Sequence, residues 1–229
     1  MNRRFFLSSS VLICAVFLAA LLLRAQSADQ NPIIPTITFD RVWEAITPQE
    51  VTITLQSAGT AKYLSRNPLK RPDDAGADPD YSLNFTMSAA NRDKIFRYAK
   101  EANYFNGDFS YKKHVVSSTG KKTLTYADPA RRFEAAYDYS ENKAIQEITN
   151  IFQGISNTIE QGRKLQFLRR FDKLGLEAEL KGMENALEAH NLAELQLIAP
   201  TLESIANDPA ILNIARQRAK RILAKSASE

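Results

Sequence analysis

The 229-residue chain has little of the chemistry on which most enzymes and metalloproteins depend. It holds one cysteine, two histidines and one tryptophan. A single cysteine excludes an internal disulfide framework and any metal site built from several thiolates. The sequence has no H-E-x-x-H, EF-hand, Walker A, dinucleotide-binding or G-x-S-x-G motif. We therefore predict no cofactor, no metal and no catalytic residue, and the sequence favours a non-enzymatic protein.

The N-terminal segment predicts export. Two arginines near the N-terminus precede an uncharged, largely apolar run over residues 5–23. Small residues just before the predicted cut fit the positions that a signal peptidase reads, so residues 1–27 are predicted to be a signal peptide cleaved after Ser27. The strongly apolar part is shorter than a membrane-spanning helix needs, and an uncleaved N-terminal anchor is the alternative. The predicted location is the periplasm or the exterior, with membrane contact only through an uncleaved leader.

Removal of this leader changes the charge balance. The whole chain has a formal net charge of +4, and residues 1–27 carry three arginines and no acid, so the mature chain has a net charge of +1. A chain so close to neutrality lacks the basic excess that is typical of nucleic-acid-binding proteins. We therefore predict no nucleic-acid partner.

The first part of the mature chain has the alternation of strands. Residues 28–35 are predicted to be a linker, and short runs of alternating apolar and polar residues follow, the clearest over residues 81–87. Ser88 is predicted to cap a single helix between two sets of strands. The proline- and charge-rich stretch 66–80 is predicted to be a mobile surface loop. These patterns predict a mixed or antiparallel sheet with one helix over residues 36–140.

The apolar period changes after residue 140. Ile145, Ile148 and Phe152 begin a series at steps of three and four residues, which places them on one stripe of a helix. Ser140 is predicted to cap the first of these helices, and the Asp208-Pro209 pair to begin the last. The predicted fold class is α+β, with a helical bundle over residues 141–229 following the α+β domain.

The order of elements in the first half resembles a known group of proteins. A helix that ends in Ala102-Asn103-Tyr104-Phe105 is followed by the hairpin sequence GKKTLTYAD and by a strand with a Tyr-Asp-Tyr end. This layout resembles small secreted bacterial α+β domains of unknown function. The resemblance implies an exported α+β domain, and it implies no catalytic residues.

The stretch from Asn103 to His114 has the most unusual composition. Aromatic residues there stand beside polar and cationic ones, as they do on many recognition surfaces. We predict that Tyr104, Phe109, Tyr111 and His114 form a binding surface. The alternative is that the first aromatic residues of the stretch close the hydrophobic core between helix and sheet.

The sequence thus predicts an exported, non-enzymatic binding module of the cell envelope, whose partner is a protein, a peptide or an envelope component. One alternative is a hydrolase of unrecognised type. Such a hydrolase requires a pocket that joins His114 to carboxylates, or Ser140 of the S-x-x-K match to a lysine. Glu134 and Asp138 are a further pair of acids, with a solvent-facing strand surface as the simpler interpretation. The other alternative is a structural accessory subunit of an envelope assembly.

Overall fold

The computed structural model describes residues 34–69, 80–113 and 118–226. The predicted leader and its cleavage site lie outside the described residues, as do most of the predicted linker, most of the predicted loop 66–80, and His114. From Ile34 onward the chain forms one compact unit.

Six strands form one antiparallel sheet in the order β4-β3-β2-β1-β5-β6. The strands are β1 Thr36–Val42, β2 Glu50–Gln56, β3 Thr60–Arg66, β4 Tyr81–Thr86, β5 Lys121–Asp128 and β6 Arg131–Tyr137. Every pairing is antiparallel, so of the two sheet types that the sequence left open, the antiparallel one is present. The predicted α+β class is confirmed.

Five helices are present in the described part of the chain, four of them after the sheet. They are α1 Ala89–Glu101, α2 Lys143–Phe171, α3 Leu176–Glu188, α4 Ala199–Asn207 and α5 Asn213–Ser226. None of the helices within the described ranges is both long enough and apolar enough to cross a bilayer. The division into separate domains at residue 140 stays a prediction, because the compact unit that begins at Ile34 includes both parts.

In the strands, buried and more exposed side chains alternate, and the buried set packs against the helices. In β1, Ile37 and Phe39 are fully buried, whereas Thr36 and Thr38, which alternate with them, face the other side of the sheet. The ring of Phe39 stacks on Phe152 of α2, with 5.3 Å between centroids. Tyr63 of β3 donates a hydrogen bond to Glu160 of α2 at 2.6 Å. The part of α2 up to Glu160 therefore covers the sheet.

The part of α2 beyond Glu160 contributes to a second hydrophobic core. Leu165 packs there with side chains of α3, α4 and α5. The helix approaches the short turn Leu195–Ile198 closely at Gly162, where an added Cβ would lie 2.3 Å from a methyl carbon of Ile198. One 29-residue helix thus connects the core under the sheet to the core of the helical half.

Two predicted helix starts need correction. The cap of α2 is Asn142, whose side-chain oxygen accepts the Ile145 N–H at 3.1 Å, and the predicted cap Ser140 instead accepts the N–H of Asn142. Asp208 follows the end of α4, and its carboxylate accepts the Ala210 N–H in a tight turn. The last helix begins only later, at Asn213. In both places a short polar side chain stabilises a turn instead of the first turn of a helix.

The aromatic stretch after α1 contains a left-handed turn. Asn103, Tyr104 and Phe105 have φ angles of 49°, 56° and 70°. Such angles cost about 1–2 kcal/mol for each residue with a side chain. Burial of the Phe105 ring, which is fully inaccessible to solvent, offsets this cost.

Candidate functional site

A cleft of about 530 Å³ opens between the Lys122 end of the sheet and the first three turns of α2. This volume lies in the range of small-molecule sites. We call it the Trp43 cleft, because it is lined by the only tryptophan of the chain. The lining residues used below are Trp43, Lys122, Tyr137, Tyr139, Gln146 and Gln153.

The position of Trp43 depends on a glycine in the facing segment. The Trp43 backbone N–H donates to the Gln49 carbonyl at 2.8 Å, which closes the loop between β1 and β2. Gly120 crosses this loop with a φ of +82°, and a Cβ there would lie 2.5 Å from the Cβ of Trp43. Only glycine combines this conformation with so close an approach.

Lys122 forms a buried, positively charged floor. Its side chain is 4% exposed, and its ammonium group donates to the carbonyl oxygens of Thr119, Gly120 and Asp138 at 2.8–3.0 Å. Burial lowers the pKa of Lys122, although the charge of Asp138 acts in the opposite direction. Because the ammonium protons already have acceptors, Lys122 holds the backbone of Thr119, Gly120 and Asp138 in place. It has no proton left for a hydrogen bond to a ligand, and its charge is what a ligand can sense.

A second cation lies beside the first. Arg41 of β1 is the register partner of Lys122 of β5, and it is 6% exposed. Its guanidinium donates to the Pro48 carbonyl at 3.1 Å, and its Nε has no hydrogen-bond partner within the described ranges. Burial lowers the pKa of Arg41, and Tyr63 and Glu160 oppose that shift. Arg41 and Lys122 are therefore neighbouring cations at this end of the sheet, and the Asp138 carboxylate, which also lines the cleft and lies 3.9 Å from the Lys122 ammonium, offsets one of their charges.

Tyr137 and Thr149 form an uncharged, hydrogen-bonded part of the cleft lining. The Thr149 hydroxyl donates to the Ile145 carbonyl at 2.6 Å, so it accepts the hydrogen bond of the Tyr137 hydroxyl at the same distance. Burial raises the pKa of Tyr137 far above its ordinary value. The phenol therefore stays protonated at neutral pH.

The rim combines an aromatic ring with amides. Tyr139 is 43% exposed, and its ring meets Tyr111 edge-on with 5.5 Å between centroids. Gln146 donates to the Ser140 carbonyl at 2.8 Å and to the Tyr139 hydroxyl at 3.3 Å. Gln153 lines the cleft further along α2. Aromatic faces and amide groups are suited to sugar rings and to peptide groups.

The structure separates the binding residues predicted from sequence. Phe109 and Tyr111 line a shallower depression of about 430 Å³, which shares Ser140 with the Trp43 cleft. Tyr104 lines neither cavity. Its ring packs on Tyr126 and under the Arg131 guanidinium, which lies 4.1 Å from the ring centroid. The predicted roles of these residues, and of His114 outside the described ranges, stay predictions.

The residues considered for catalysis have structural partners. The Ser140 hydroxyl accepts the Asn142 N–H at 3.2 Å, and the serine is 3% exposed. Burial alone would raise the pKa of Asp138, but hydrogen bonds from Thr119 lower it below its ordinary value. Glu134 is exposed on the edge strand β6. Among the residues that the structure describes, no group of three or more His, Cys, Asp or Glu side chains could hold a metal ion.

Sequence reasoning missed Trp43, Arg41 and Lys122. The sequence does mark the two cations, because each stands at a strand position where the alternation calls for a buried apolar residue. Arg41 continues the series Ile37, Phe39 in β1, and Lys122 begins the series that continues with Leu124 and Tyr126 in β5. A charged residue in a buried phase indicates a special environment. Neither a protein-family model nor a curated protein matches the chain.

Proposed function

We propose that this protein is an exported binding module that holds an envelope component in the Trp43 cleft without reacting with it. The observation that carries the proposal is the composition of the cleft. An aromatic and amide rim stands over the buried Lys122, next to which the buried Arg41 lies in the sheet. This combination is typical of recognition sites for polar ligands that carry negative charge.

The lining restricts the class of ligand. The rings of Trp43 and Tyr139 provide apolar faces, and Gln153 provides an amide that can donate and accept. The charges of Arg41, Lys122 and Asp138 leave a net positive charge of one, which favours a ligand with a carboxylate. A sugar or peptide fragment that bears a free carboxylate fits all three features, and such fragments occur in bacterial envelopes.

Two features favour binding over hydrolysis. Nucleophilic catalysis needs a hydroxyl in contact with a base, and the Ser140 hydroxyl is instead engaged with the backbone of its own turn. The buried lysine of the cleft, Lys122, donates its protons to carbonyl oxygens. Neither group has the arrangement of an activated nucleophile or a general base.

The single tryptophan gives a direct test. All tryptophan emission comes from the cleft, so we would titrate the protein with soluble peptidoglycan fragments, which combine sugar rings, amides and free carboxylates. The expected result is a saturable change in Trp43 emission. Gln153→Ala should weaken the binding about 5- to 10-fold, as expected for one lost hydrogen bond. The matched control is Gln166→Ala, on the same helix but outside the cleft.

Two results would overturn the proposal. If Trp43 emission stays constant up to millimolar fragment concentrations, the cleft does not bind ligands of this chemical class. Shortening of the fragments during incubation, detected by mass spectrometry, would replace binding by hydrolysis.

A further inference from the structure

The end of α2 that lies away from the cleft exposes large apolar side chains. Phe167, Phe171 and Leu174 are 59%, 65% and 74% exposed. Their spacing of four and three residues places the two phenylalanines on one stripe of the helix, and Leu174 follows just beyond its end. The two rings contact each other with 5.0 Å between centroids. We call this surface, together with Arg169 and Arg170, the α2 tip.

The exposure is not explained by the core of the helical half. The inward stripe of α2 is formed by other residues, such as the fully buried Leu165, and Leu168 packs against the same core. The tip is therefore a second, outward-facing apolar stripe. A contiguous exposed apolar patch on a protein marks an interaction surface or an aggregation hazard.

Two arginines flank the tip. Residues 164–174 contain four basic residues and one acid, Asp172, but Lys164 and Lys173 form ion pairs with Glu179 and Asp208. Arg169 and Arg170 are exposed, and the Arg170 guanidinium lies 5.1 Å from the centroid of the Phe171 ring. The Asp172 carboxylate accepts the Gly175 N–H at 3.1 Å, which assigns the only acid of the segment a role in the turn after the helix. The tip thus presents aromatic side chains beside two exposed arginines.

We propose that the α2 tip docks on the surface of an anionic phospholipid bilayer. Side chains that are 59–74% exposed project from the protein, whereas residues that line a peptide-binding groove are largely enclosed. A bilayer interface requires no complementary shape, and it accepts aromatic and leucine side chains to a depth of about 5–10 Å. Arginines beside such side chains bind anionic headgroups. These features favour a lipid surface over a protein partner.

The site is independent of the Trp43 cleft. Gln153 and Phe167 are 14 positions apart on one helix, which corresponds to about 20 Å along its axis. Docking at the tip would leave the cleft exposed to its ligand. The contact would also come from the folded body of the protein and not from the leader.

The test uses a tryptophan moved to the tip. In the full chain carrying Trp43→Phe and Phe171→Trp, all tryptophan emission reports on the tip, so binding through the leader does not contribute. We expect a blue shift, and quenching by brominated acyl chains, on vesicles of 30% phosphatidylglycerol in phosphatidylcholine. On pure phosphatidylcholine the response should be at least about 10-fold weaker, because the cations then lack anionic headgroups. Thermal unfolding of the variant shows whether it folds.

Charge reversal separates docking on lipid from docking on an acidic protein. Adding Arg169→Glu and Arg170→Glu should weaken the response at least about 30-fold. The matched control, Lys62→Glu with Arg132→Glu, reverses two exposed charges of the sheet and should change it less than about 2-fold. Unchanged emission on the anionic vesicles would overturn the proposal. A shift with poly-glutamate but not with vesicles would also overturn it, in favour of an acidic protein partner.

Discussion

The carboxylate of Glu194 accepts both the backbone N–H and the hydroxyl of Ser88, at 2.9 Å and 2.6 Å, although 106 residues separate them. The Asn91 amide donates to the same carboxylate at 2.6 Å. Glu194 is 1% exposed and has a left-handed φ of 58°. A negative charge at the N-terminus of a helix is favourable. The helical half therefore completes the cap of α1, which Ser88 begins.

Glu194→Ala is the first prediction. The substitution leaves the Ser88 N–H and the Asn91 amide without their buried acceptor, so the free energy of unfolding should fall by about 2–4 kcal/mol. Urea denaturation measures this change. Glu147→Ala, at an exposed position of α2 that makes none of these contacts, should change it by less than about 0.5 kcal/mol. Equal effects of the two substitutions would show that the long-range cap contributes nothing.

Substitution of alanine for two glycines on neighbouring helices, Gly162 and Gly182, should change the stability of the protein in opposite directions. At Gly162 the new Cβ would lie 2.3 Å from a methyl carbon of Ile198, so overpacking should cost about 1–3 kcal/mol. At Gly182 of α3 the Cβ meets nothing within 4 Å, and the better helix propensity should stabilise the protein by about 0.5–1 kcal/mol. Chemical denaturation gives both values. A stabilised Gly162→Ala variant would contradict the close approach of α2 to the Leu195–Ile198 turn.

Comparison of the stabilities of the wild type and Tyr137→Phe at alkaline pH should show that the phenol of Tyr137 is buried. Burial raises the pKa of Tyr137 in the folded protein, whereas a tyrosine in the unfolded chain titrates near 10. Above pH 10 the unfolded chain releases this proton and the folded chain keeps it, so the wild type loses stability as the pH rises. The variant lacks this loss.

The stability difference between wild type and Tyr137→Phe is the quantity to measure. Below pH 9 the wild type should be more stable by about 1 kcal/mol, because of the hydrogen bond to Thr149. The difference should stay constant from about pH 6 to pH 9 and then shrink or reverse above about pH 10. A constant difference up to about pH 11 would show that the phenol is accessible to solvent.

Gly120→Ala should displace Trp43. The added Cβ would lie 2.5 Å from the Cβ of Trp43 and 2.9 Å from the Val42 carbonyl oxygen, so the loop must move. We expect red-shifted tryptophan emission, as the indole becomes more exposed, and a loss of stability of about 1–3 kcal/mol. Gly59 also has a positive φ, but a Cβ there would make only ordinary van der Waals contacts. Gly59→Ala should therefore lower the stability of the protein without shifting the tryptophan emission.

Local patterns in the sequence predicted the strands well, because a half-buried strand shows its alternation within a few residues. The alternating run over residues 81–87 coincides with β4, Tyr81–Thr86. Helix starts were less predictable. Ser140 was predicted as the cap of α2, but the cap is Asn142, and because serine and asparagine cap helices about equally well, local sequence does not distinguish the two.

The cleft was not predictable in the same way, because its parts come from distant segments. Trp43 follows β1 without any periodic pattern, and Gln153 looks like an ordinary polar position of a helix. The link between Glu194 and Ser88 has no local signal at all. Lys122 is the exception, since a lysine among buried strand residues is a local signal of an unusual environment, although sequence reasoning did not use it.

Binding in the cleft requires contact between Trp43 and the ligand. The most direct measurement is the indole N–H resonance in a ¹H–¹⁵N spectrum, which a chain with one tryptophan shows as a single peak. On addition of soluble peptidoglycan fragments, we predict that this resonance shifts in a saturable way, and that Gln153→Ala moves the midpoint to higher concentration. A resonance that stays in place while signals elsewhere in the protein shift would contradict binding in the Trp43 cleft, because the ligand would then bind outside it.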